Sequence, residues 1–266
     1  MGAVVTLSIA DLAIAALLVL LLALLSLQQR AGISRQLLIA ALRTAVQLTL
    51  IGLVLKVLFA NAQLGWVSLL AVGMLLIAGR EVMARQERRF TGWWGYAVGT
   101  VSMFLSSFAV TVFALVVILG SDPWYAPQYS IPLLGMLLGN TMNGIAIAMD
   151  RLTSAAWEKR NIIEARLILG ERWDRAVSDL RVQAVRSGMI PIINAMAAAG
   201  VVSLPGMMTG QILAGVPPVE AVKYQILIMF LIAVGTGLGT LAAVTIGSRH
   251  LFDERERLCL ERLQSG

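Results

Sequence analysis

The side chains of this sequence that could perform chemistry are amides, hydroxyls and thioethers placed inside long apolar runs. In the fifth run, three such side chains fall close together: Asn140, Met142 and Asn143. Gly135 and Gly139 precede them at four-residue spacing. Small residues let helix backbones approach closely, and an unpaired amide at membrane depth is costly. The pattern is compatible with plain helix packing or with the polar lining of a translocation path.

A second set of candidates lies in the sixth run: Ser203, Pro205, Gly206, Met207 and Met208. Pro205 lacks a backbone donor and clashes with the preceding turn, so we predict a break or kink there. Backbone groups freed by a break must line a cavity or be buried in protein. This makes the segment the best single candidate for a gate or substrate site, with an ordinary kink as the alternative. Methionine thioethers are soft metal ligands, although most methionines fill gaps between helices.

Three further polar residues lie within or near the ends of apolar runs. Asp11 is a functional candidate because an acidic group inside an apolar run is rare. Arg43 and Gln47 lie one turn apart in the second run and are also candidates for the translocation path. The simpler interpretations are that Arg43 snorkels to the interface and that Asp11 is solvated at the outer edge.

The elements that must position these side chains are membrane-spanning helices. Of the 266 residues, 58% are hydrophobic and 14% are charged, whereas a soluble domain contains about 25% charged residues. We therefore predict an all-α, polytopic transmembrane helical bundle with about seven spans. The third run is short and its ends are uncertain. The runs are Val4–Leu27, Leu37–Phe59, Trp66–Ala78, Tyr96–Leu119, Ile131–Met149, Met189–Ala214 and Ala221–Ile246.

The basic residues predict how the chain is oriented in the membrane. Of the 21 Lys and Arg residues, all but Lys56 and Lys223 follow the first, third, fifth or seventh run. Because basic loops stay in the cytoplasm, the amino terminus is predicted outside and the carboxyl terminus in the cytoplasm. The net charge of +6 is spread over short loops, which favours anionic lipid rather than nucleic acid as its partner.

The longest hydrophilic stretch, residues 151–187, is predicted to be cytoplasmic and helical. Apolar residues recur in it at three- and four-residue spacing, as Trp173, Ala176, Val177, Leu180 and Ala184. Such a stripe on a charged helix suits a groove on a partner protein. Gly188 and Pro191 are expected to mark the return to the membrane, and residues 249–266 are expected to form a short amphipathic cytoplasmic tail. We treat residues 1–266 as a single transmembrane domain.

Several chemistries are excluded by what the sequence lacks. The three lysines, Lys56, Lys159 and Lys223, do not follow a glycine, so the chain has no P-loop. Cys259 and His250 are the only residues of their types, so no Cys/His metal cluster can form, and a metal ligand set is not identifiable. No catalytic triad or HExxH motif occurs, which argues against a membrane-embedded enzyme. A scaffold or sensor is a further alternative, and a pump would need energy from another subunit.

The residues resemble a known family over nearly the whole chain. The most specific segment reads Val201-Val202-Ser203-Leu204-Pro205-Gly206-Met207-Met208-Thr209-Gly210 and is followed by Pro218 and Lys223-Tyr224-Gln225. Matching residues also include Arg43, Gln47, Gly52, Gly135, Gly139, Asn140, Thr141, Met142, Leu169 and Gly170. This pattern is similar to the FetB-type ABC permease family, which includes bacterial iron-export permeases and plant aluminium-tolerance permeases.

The resemblance implies a permease of the bacterial inner membrane, without a cofactor of its own, that assembles as a homodimer with a cytoplasmic ABC ATPase that binds ATP. Glu164, Ala165 and Gly170 resemble the start of a coupling loop that docks on such an ATPase, and Trp173 on the apolar stripe is a further docking candidate. The sequence departs from the importer pattern, because Arg166 stands in place of a second alanine.

The expected function is export of iron or another metal ion, powered by the separate ATPase. The alternative is an ABC permease for a small organic solute such as a sugar nucleotide. The spans contain no carboxylate cluster or histidine site that would select iron, and a fold does not fix a substrate.

Overall fold

The structure is a computed structural model that describes residues 8–30 and 32–265. The predicted start of the first span at Val4 and the last residue of the tail, Gly266, lie outside the described residues. Within the described part, six helical segments are long and apolar enough to cross a membrane. They are Ile9–Gln28, Ser34–Ala60, Leu64–Ala84, Trp93–Leu119, Pro127–Glu158 and Pro218–His250. The all-helical, polytopic membrane fold is confirmed, whereas the orientation of its termini stays a prediction.

One compact unit contains the first two helices, α1 (Ile9–Gln28) and α2 (Ser34–Ala60), together with Leu213–Val216. Both helices leave nearly all their apolar side chains exposed, since α2 buries only Ser34 and Leu58. A soluble protein does not expose apolar surface on this scale. The exposed leucines and valines of this unit are the surface that lipid covers.

The second compact unit, Leu64–Ile212 with Pro217–Gly266, begins with α3 (Leu64–Ala84). The fourth predicted run forms one continuous helical segment of α4 (Trp93–Met103), a π-helical turn (Phe104–Phe108), α5 (Ala109–Phe113) and a second π-helical turn (Ala114–Leu119). A π-helical turn widens the helix and is frequent at functional sites. In the first of the two turns, Phe104–Phe108, Ser106 and Ser107 are buried in the protein interior.

The core of this unit is formed by the long helices α6 (Pro127–Glu158) and α11 (Pro218–His250) with α9 (Ser178–Ala198). At 1.5 Å per residue, α6 and α11 are each about 50 Å long. The hydrocarbon layer is about 30 Å thick. Both helices therefore extend well beyond the apolar part of a membrane, and the boundary predicted after Met149 lies in the middle of α6.

Two short helices connect α6 to α9 in the predicted cytoplasmic stretch, α7 (Arg160–Ile168) and α8 (Trp173–Ala176). The stretch is helical as predicted, but no helix boundary marks its predicted end. Helix α9 continues without interruption through Gly188 and Pro191, which were expected to mark a return to the membrane. The ten residues of α9 before Gly188 and the residues after it therefore belong to one continuous helix.

The tail differs from the amphipathic piece that the sequence predicts. Residues 263–265 form strand β2, which pairs antiparallel with β1 (Arg88–Phe90) after a 3₁₀ turn at Leu260–Arg262. Leu251, Phe252 and Leu263 are buried in the core. The pairing joins segments separated by more than 170 residues, so no local pattern could reveal it.

Candidate functional site

The asparagines of the fifth run lie on an exposed face of α6 and have different partners. The Asn140 side chain donates from Nδ2 to the carbonyl oxygen of Met136 at 2.8 Å, within its own helix. The Asn143 side chain accepts a hydrogen bond from the Arg85 guanidinium, just beyond the end of α3. Met142 is partly buried against the core. Both amides are therefore exposed on α6, and Asn143 also connects α6 to the segment that follows α3.

The break predicted at Pro205 is confirmed. Helix α9 ends at Ala198, and seven residues separate it from α10 (Gly206–Leu213). Between them the chain turns tightly, with the Gly200 N–H donating to the carbonyl of Ser203 at 2.9 Å and Gly200 at φ +81°. The Ser203 hydroxyl donates to the carbonyl of Ala198 at 3.4 Å. These bonds satisfy backbone groups that the broken helix frees.

The structure brings Met207 of the sixth run to an apolar cluster that also includes Met136 of the fifth run. Met207 of α10 and Met136 of α6, one turn before Asn140, pack against the same group of buried side chains, which includes Leu137 and Ile232. Met208 is buried. Sequence reasoning missed three further thioethers at this cluster, because they come from helices distant in sequence: Met189, Met196 and Met229.

A group of buried hydroxyls was also missed. Thr141 of α6 and both Thr236 and Thr240 of α11 are fully buried, and within the described residues their hydroxyls have no hydrogen-bond partner. Thr236 and Thr240 lie beside a close contact of α6 with α9, where a Cβ on Gly188 would lie 2.5 Å from the carbonyl oxygen of Gly144, and Thr141 lies against Gly239 of α11. The sequence gave no signal for this contact, because Gly144 falls outside the four-residue spacing of Gly135 and Gly139 and threonine is common in apolar helices.

Asp11 has a structural role in the first turn of α1. It forms a capping box with Ser8, in which the Ser8 N–H donates to Asp11 Oδ2 at 2.8 Å and the Asp11 N–H donates to Ser8 Oγ at 3.2 Å. This arrangement satisfies helix donors and accounts for an acidic residue at this position. Arg43 and Gln47 are exposed on α2, one turn apart as predicted.

The predicted coupling residues surround an exposed turn between α7 and α8. Glu164 and Ala165 are exposed on α7, and Gly170 closes the helix at φ +88°. Two consecutive apolar side chains lie at this turn, Ile168 and Leu169, which are 86% and 84% exposed. Exposed apolar residues on a predicted cytoplasmic loop are typical of a protein-binding site.

The apolar stripe of this stretch does not face a partner, which corrects the expectation from sequence. Ala176, Val177, Leu180 and Ala184 are all buried in the core of the second unit. Trp173 packs against that core as well, and its backbone N–H donates to Glu256 Oε2 of the tail at 3.1 Å. The periodicity was correct, but periodicity does not tell which molecule covers a stripe.

Ion pairs hold the segments around the turn in place. Arg166 donates to Asp179 at 2.9 Å and to the carbonyl oxygen of Ala176 at 2.9 Å. Burial raises the pKa of Asp179, but the Arg166 hydrogen bond and charge outweigh it, so the net pKa is lowered. The same pairing raises the pKa of Arg166. Arg166, the residue that departs from the importer pattern, therefore connects α7 to α9.

The described residues contain no group of three or more His, Cys, Asp or Glu side chains that could hold a metal ion. Cys259 is buried, and burial raises the pKa of its thiol, which disfavours the thiolate that binds metals. Apart from the charged Arg43 and Asp11, the candidate residues offer amides, hydroxyls and thioethers, which are neutral ligands.

Comparison with known proteins places the chain in a family. A family model described as uncharacterised protein family UPF0014 matches residues 9–252. A UPF0014 membrane protein of Synechocystis is 39% identical over 86% of this chain and 88% of the relative. The probable iron export permease protein FetB of Escherichia coli is 30% identical over 96% of both chains. The Arabidopsis thaliana protein ALUMINUM SENSITIVE 3 is 32% identical over 87% of this chain and 82% of the relative.

No solved structure matches the chain. The chain belongs to the UPF0014 family, whose members are membrane proteins that include a named permease, and the resemblance seen in the sequence is confirmed.

Proposed function

We propose that this protein is the membrane-spanning permease subunit of an ABC transporter of the bacterial inner membrane, and that it exports iron or another metal ion. The observation that supports this most is the similarity to the E. coli relative over 96% of both chains. That similarity includes α6, the break before α10 and the turn between α7 and α8, which are the parts with candidate roles.

Energy for transport comes from a separate ATPase in this proposal. The chain has no P-loop, so it cannot bind ATP in the usual way. The exposed turn at Ile168 and Leu169, with Glu164, Ala165 and Gly170 beside it, is the docking site on the permease. Two permease copies and two ATPases form the working transporter.

A path lined by neutral ligands is compatible with moving a metal ion. Conduction requires binding that is weak enough to let the ion leave. The amide of Asn140 and the thioethers of Met136 and Met207 provide weak, exchangeable contacts, in contrast to a carboxylate cage that would hold the ion. Softer ions benefit most from thioether contacts.

The alternative substrate is a small organic solute such as a sugar nucleotide. It is favoured by the lack of a group of three acidic, histidine or cysteine side chains among the described residues. Neutral amides and hydroxyls suit hydrogen bonding to a polar solute.

The decisive experiment is transport into inside-out vesicles that contain the permease and its cognate ATPase, screened over iron, softer metals and sugar nucleotides. We expect ATP-dependent uptake of a metal ion, absent when the ATPase is omitted or catalytically dead. Uptake of a sugar nucleotide in place of metal would support the alternative. Equal uptake without ATP would contradict the ABC assignment.

A matched pair of variants tests the path. Met207→Leu keeps the apolar volume at the cluster around Leu137 and Ile232 but removes the thioether. We expect about a tenfold lower rate of metal uptake, equivalent to roughly 1.4 kcal/mol. Met74→Leu, at the core cluster that does not include Met207, is the control and should transport normally. Equal rates for the two variants would remove Met207 from the path.

A further inference from the structure

A groove between α9 and α11 combines two arginines with an apolar lining. Its volume is about 480 Å³. The residues that matter here are Arg181, Val182, Val185 and Arg186 of α9 and Leu241 and Val244 of α11. Arg181 and Val185 lie four residues apart, as do Val182 and Arg186, so both kinds of side chain share one face of α9. Neither the candidate path nor the docking turn includes these residues.

The arginine charges in this groove are not neutralised by the protein. Among the described residues, neither Arg181 nor Arg186 forms an ion pair. Arg181 donates only to the neutral hydroxyl of Thr245, at 3.4 Å. The carboxylate of Asp179 on the same helix is already engaged by Arg166 at 2.9 Å. Two guanidinium groups are therefore available to an anion, and phosphate is the anion that arginine binds best.

The apolar side of the groove is open. Val182 is 68% exposed and Leu241 is 51% exposed, while Val244 is buried at the base. An anion such as free phosphate would leave these side chains uncovered. A ligand with one phosphate and a hydrocarbon chain would satisfy the arginines and cover the valines and leucine together.

The length of α11 indicates that the groove lies at the level of the phospholipid headgroups. Helix α11 is about 50 Å long and exceeds the hydrocarbon thickness of about 30 Å, so its carboxyl-terminal turns reach the headgroup region. Trp94 stacks on His250 at the end of α11, with ring centroids 4.3 Å apart. Tryptophan is enriched at the membrane interface, which agrees with this depth.

We propose that the α9–α11 groove is a specific binding site for one anionic phospholipid. The lipid phosphate binds Arg181 and Arg186, and an acyl chain lies along Val182, Val185 and Leu241. The bound lipid would hold α9, which leads to the broken segment, against α11. Basic pockets between membrane helices bind anionic headgroups by the same combination of charge and depth.

The test uses the purified full chain in detergent, without an ATPase, so its outcome does not depend on the transport proposal. Dioleoyl phosphatidylglycerol and dioleoyl phosphatidylcholine are titrated at equal concentration, and bound lipid is measured by native mass spectrometry. We expect one tightly retained phosphatidylglycerol. The double variant Arg181→Gln/Arg186→Gln should bind it about 30-fold more weakly, as two lost interfacial arginine contacts imply.

The matched control is Arg151→Gln/Arg255→Gln, which removes the same charge at exposed positions outside the groove and should leave the affinity unchanged. If the double variant fails to fold, Val182→Glu serves as a second test. It places a carboxylate beside the site at an exposed position and should also weaken lipid binding. Equal loss in the control, equal retention of phosphatidylcholine, or displacement by equimolar glycerol 3-phosphate would each overturn the proposal. The proposal would also be overturned if Arg181→Gln/Arg186→Gln changed the oligomeric state measured by light scattering but still retained the lipid.

Discussion

Asn140 and Asn143 are close in sequence on α6 but differ in what their side chains stabilise. Asn140 bonds within its own helix, whereas Asn143 accepts from Arg85 beyond the end of α3. A hydrogen bond to a charged group contributes more to stability than a local one, although exposure weakens it. A hydropathy pattern does not distinguish the two residues. The structure leaves Asn140 as a candidate path residue, whereas Asn143 connects α6 to the segment that follows α3.

We expect Asn143→Ala to lower the free energy of unfolding by about 1 kcal/mol. Asn140→Ala is its matched control and should change stability by only a few tenths of a kcal/mol, roughly the value of a local helix contact. Thermal unfolding in detergent measures both, and the expected difference in Tm is about 2–4 °C. Equal Tm values would mean that the Arg85–Asn143 bond does not stabilise the fold.

Asp253 organises the start of the tail. Its carboxylate accepts hydrogen bonds from the backbone N–H groups of Arg257 and Arg255, each at 2.8 Å, and from Arg257 Nε at 2.7 Å. The backbone N–H of Arg257 is the main reason that the pKa of Asp253 is lowered. Because the folded pKa lies below the unfolded value of about 3.9, this stabilisation is present above that pH and is lost as pH falls through the folded pKa.

Asp253→Asn should therefore loosen the tail near neutral pH, seen as faster hydrogen exchange of residues 253–258 after correction for intrinsic rates. The difference from the native chain should shrink as the pH falls below about 3.9, where the native carboxylate also becomes protonated. Glu254→Gln is an exposed neighbouring control and should exchange like the native chain. A difference between Asp253→Asn and the native chain that stays constant down to pH 2 would show that the ionised carboxylate is not responsible.

At the scale of helices, the packing of α9 on α6 depends on two glycines. A Cβ on Gly188 would lie 2.5 Å from the carbonyl oxygen of Gly144 and 2.9 Å from Cβ of Ala148. The first of these neighbours is backbone and cannot rotate away. Gly188→Ala should therefore push the helices apart and destabilise the protein by about 1–3 kcal/mol, the usual cost of overpacking.

The control for this prediction is Gly210→Ala in α10, where the added Cβ meets nothing within 4 Å. It should be neutral or stabilise by about 0.5–1 kcal/mol, because alanine favours helix more than glycine does. The Tm of each variant measures these changes in stability. A lower Tm for Gly210→Ala than for Gly188→Ala would contradict the packing argument.

The turn between α7 and α8 allows a test of docking. Ile168→Ser/Leu169→Ser removes the two exposed apolar side chains without disturbing the core, and we expect at least a tenfold loss of co-purifying ATPase, equivalent to roughly 1.4 kcal/mol. Ile162→Ser, on the same helix and 53% exposed, is the local control and should retain the ATPase. Unchanged co-purification in the double variant would place the docking site elsewhere.

For the whole molecule, the distribution of basic residues predicts that the segment 151–187 faces the cytoplasm. Starting from Cys259→Ser, a single cysteine introduced as Glu171→Cys should react with a membrane-impermeant maleimide only in inside-out vesicles. Gln63→Cys, in the loop before α3, should react only in intact cells. Reaction of Glu171→Cys from outside intact cells would reverse the orientation and remove the basis for ATPase docking at that turn.

The sequence also predicted the helix break correctly, because Pro205 and Gly206 disfavour helix through their own backbones. It failed where long-range packing decides. The stripe from Ala176 to Ala184 was assigned to a partner, yet it is buried in the protein's own core, and the tail at Leu263 pairs as a strand with Phe90. The methionines that join Met207 at the cluster around Leu137 and Ile232 come from three other helices, α6, α9 and α11, and no spacing along the chain connects them.

What the sequence alone determined is the set of properties that each segment has by itself: solubility in lipid, the interruption of a helix, and the charge that flanks each span. These follow from transfer free energies and backbone geometry, which act locally. Only the tertiary structure decided which apolar stripe is covered and which amide bonds to Arg85. It alone also showed that Arg181 and Arg186 remain without a carboxylate within the described residues. The physical reason is that burial and pairing are properties of two segments at once.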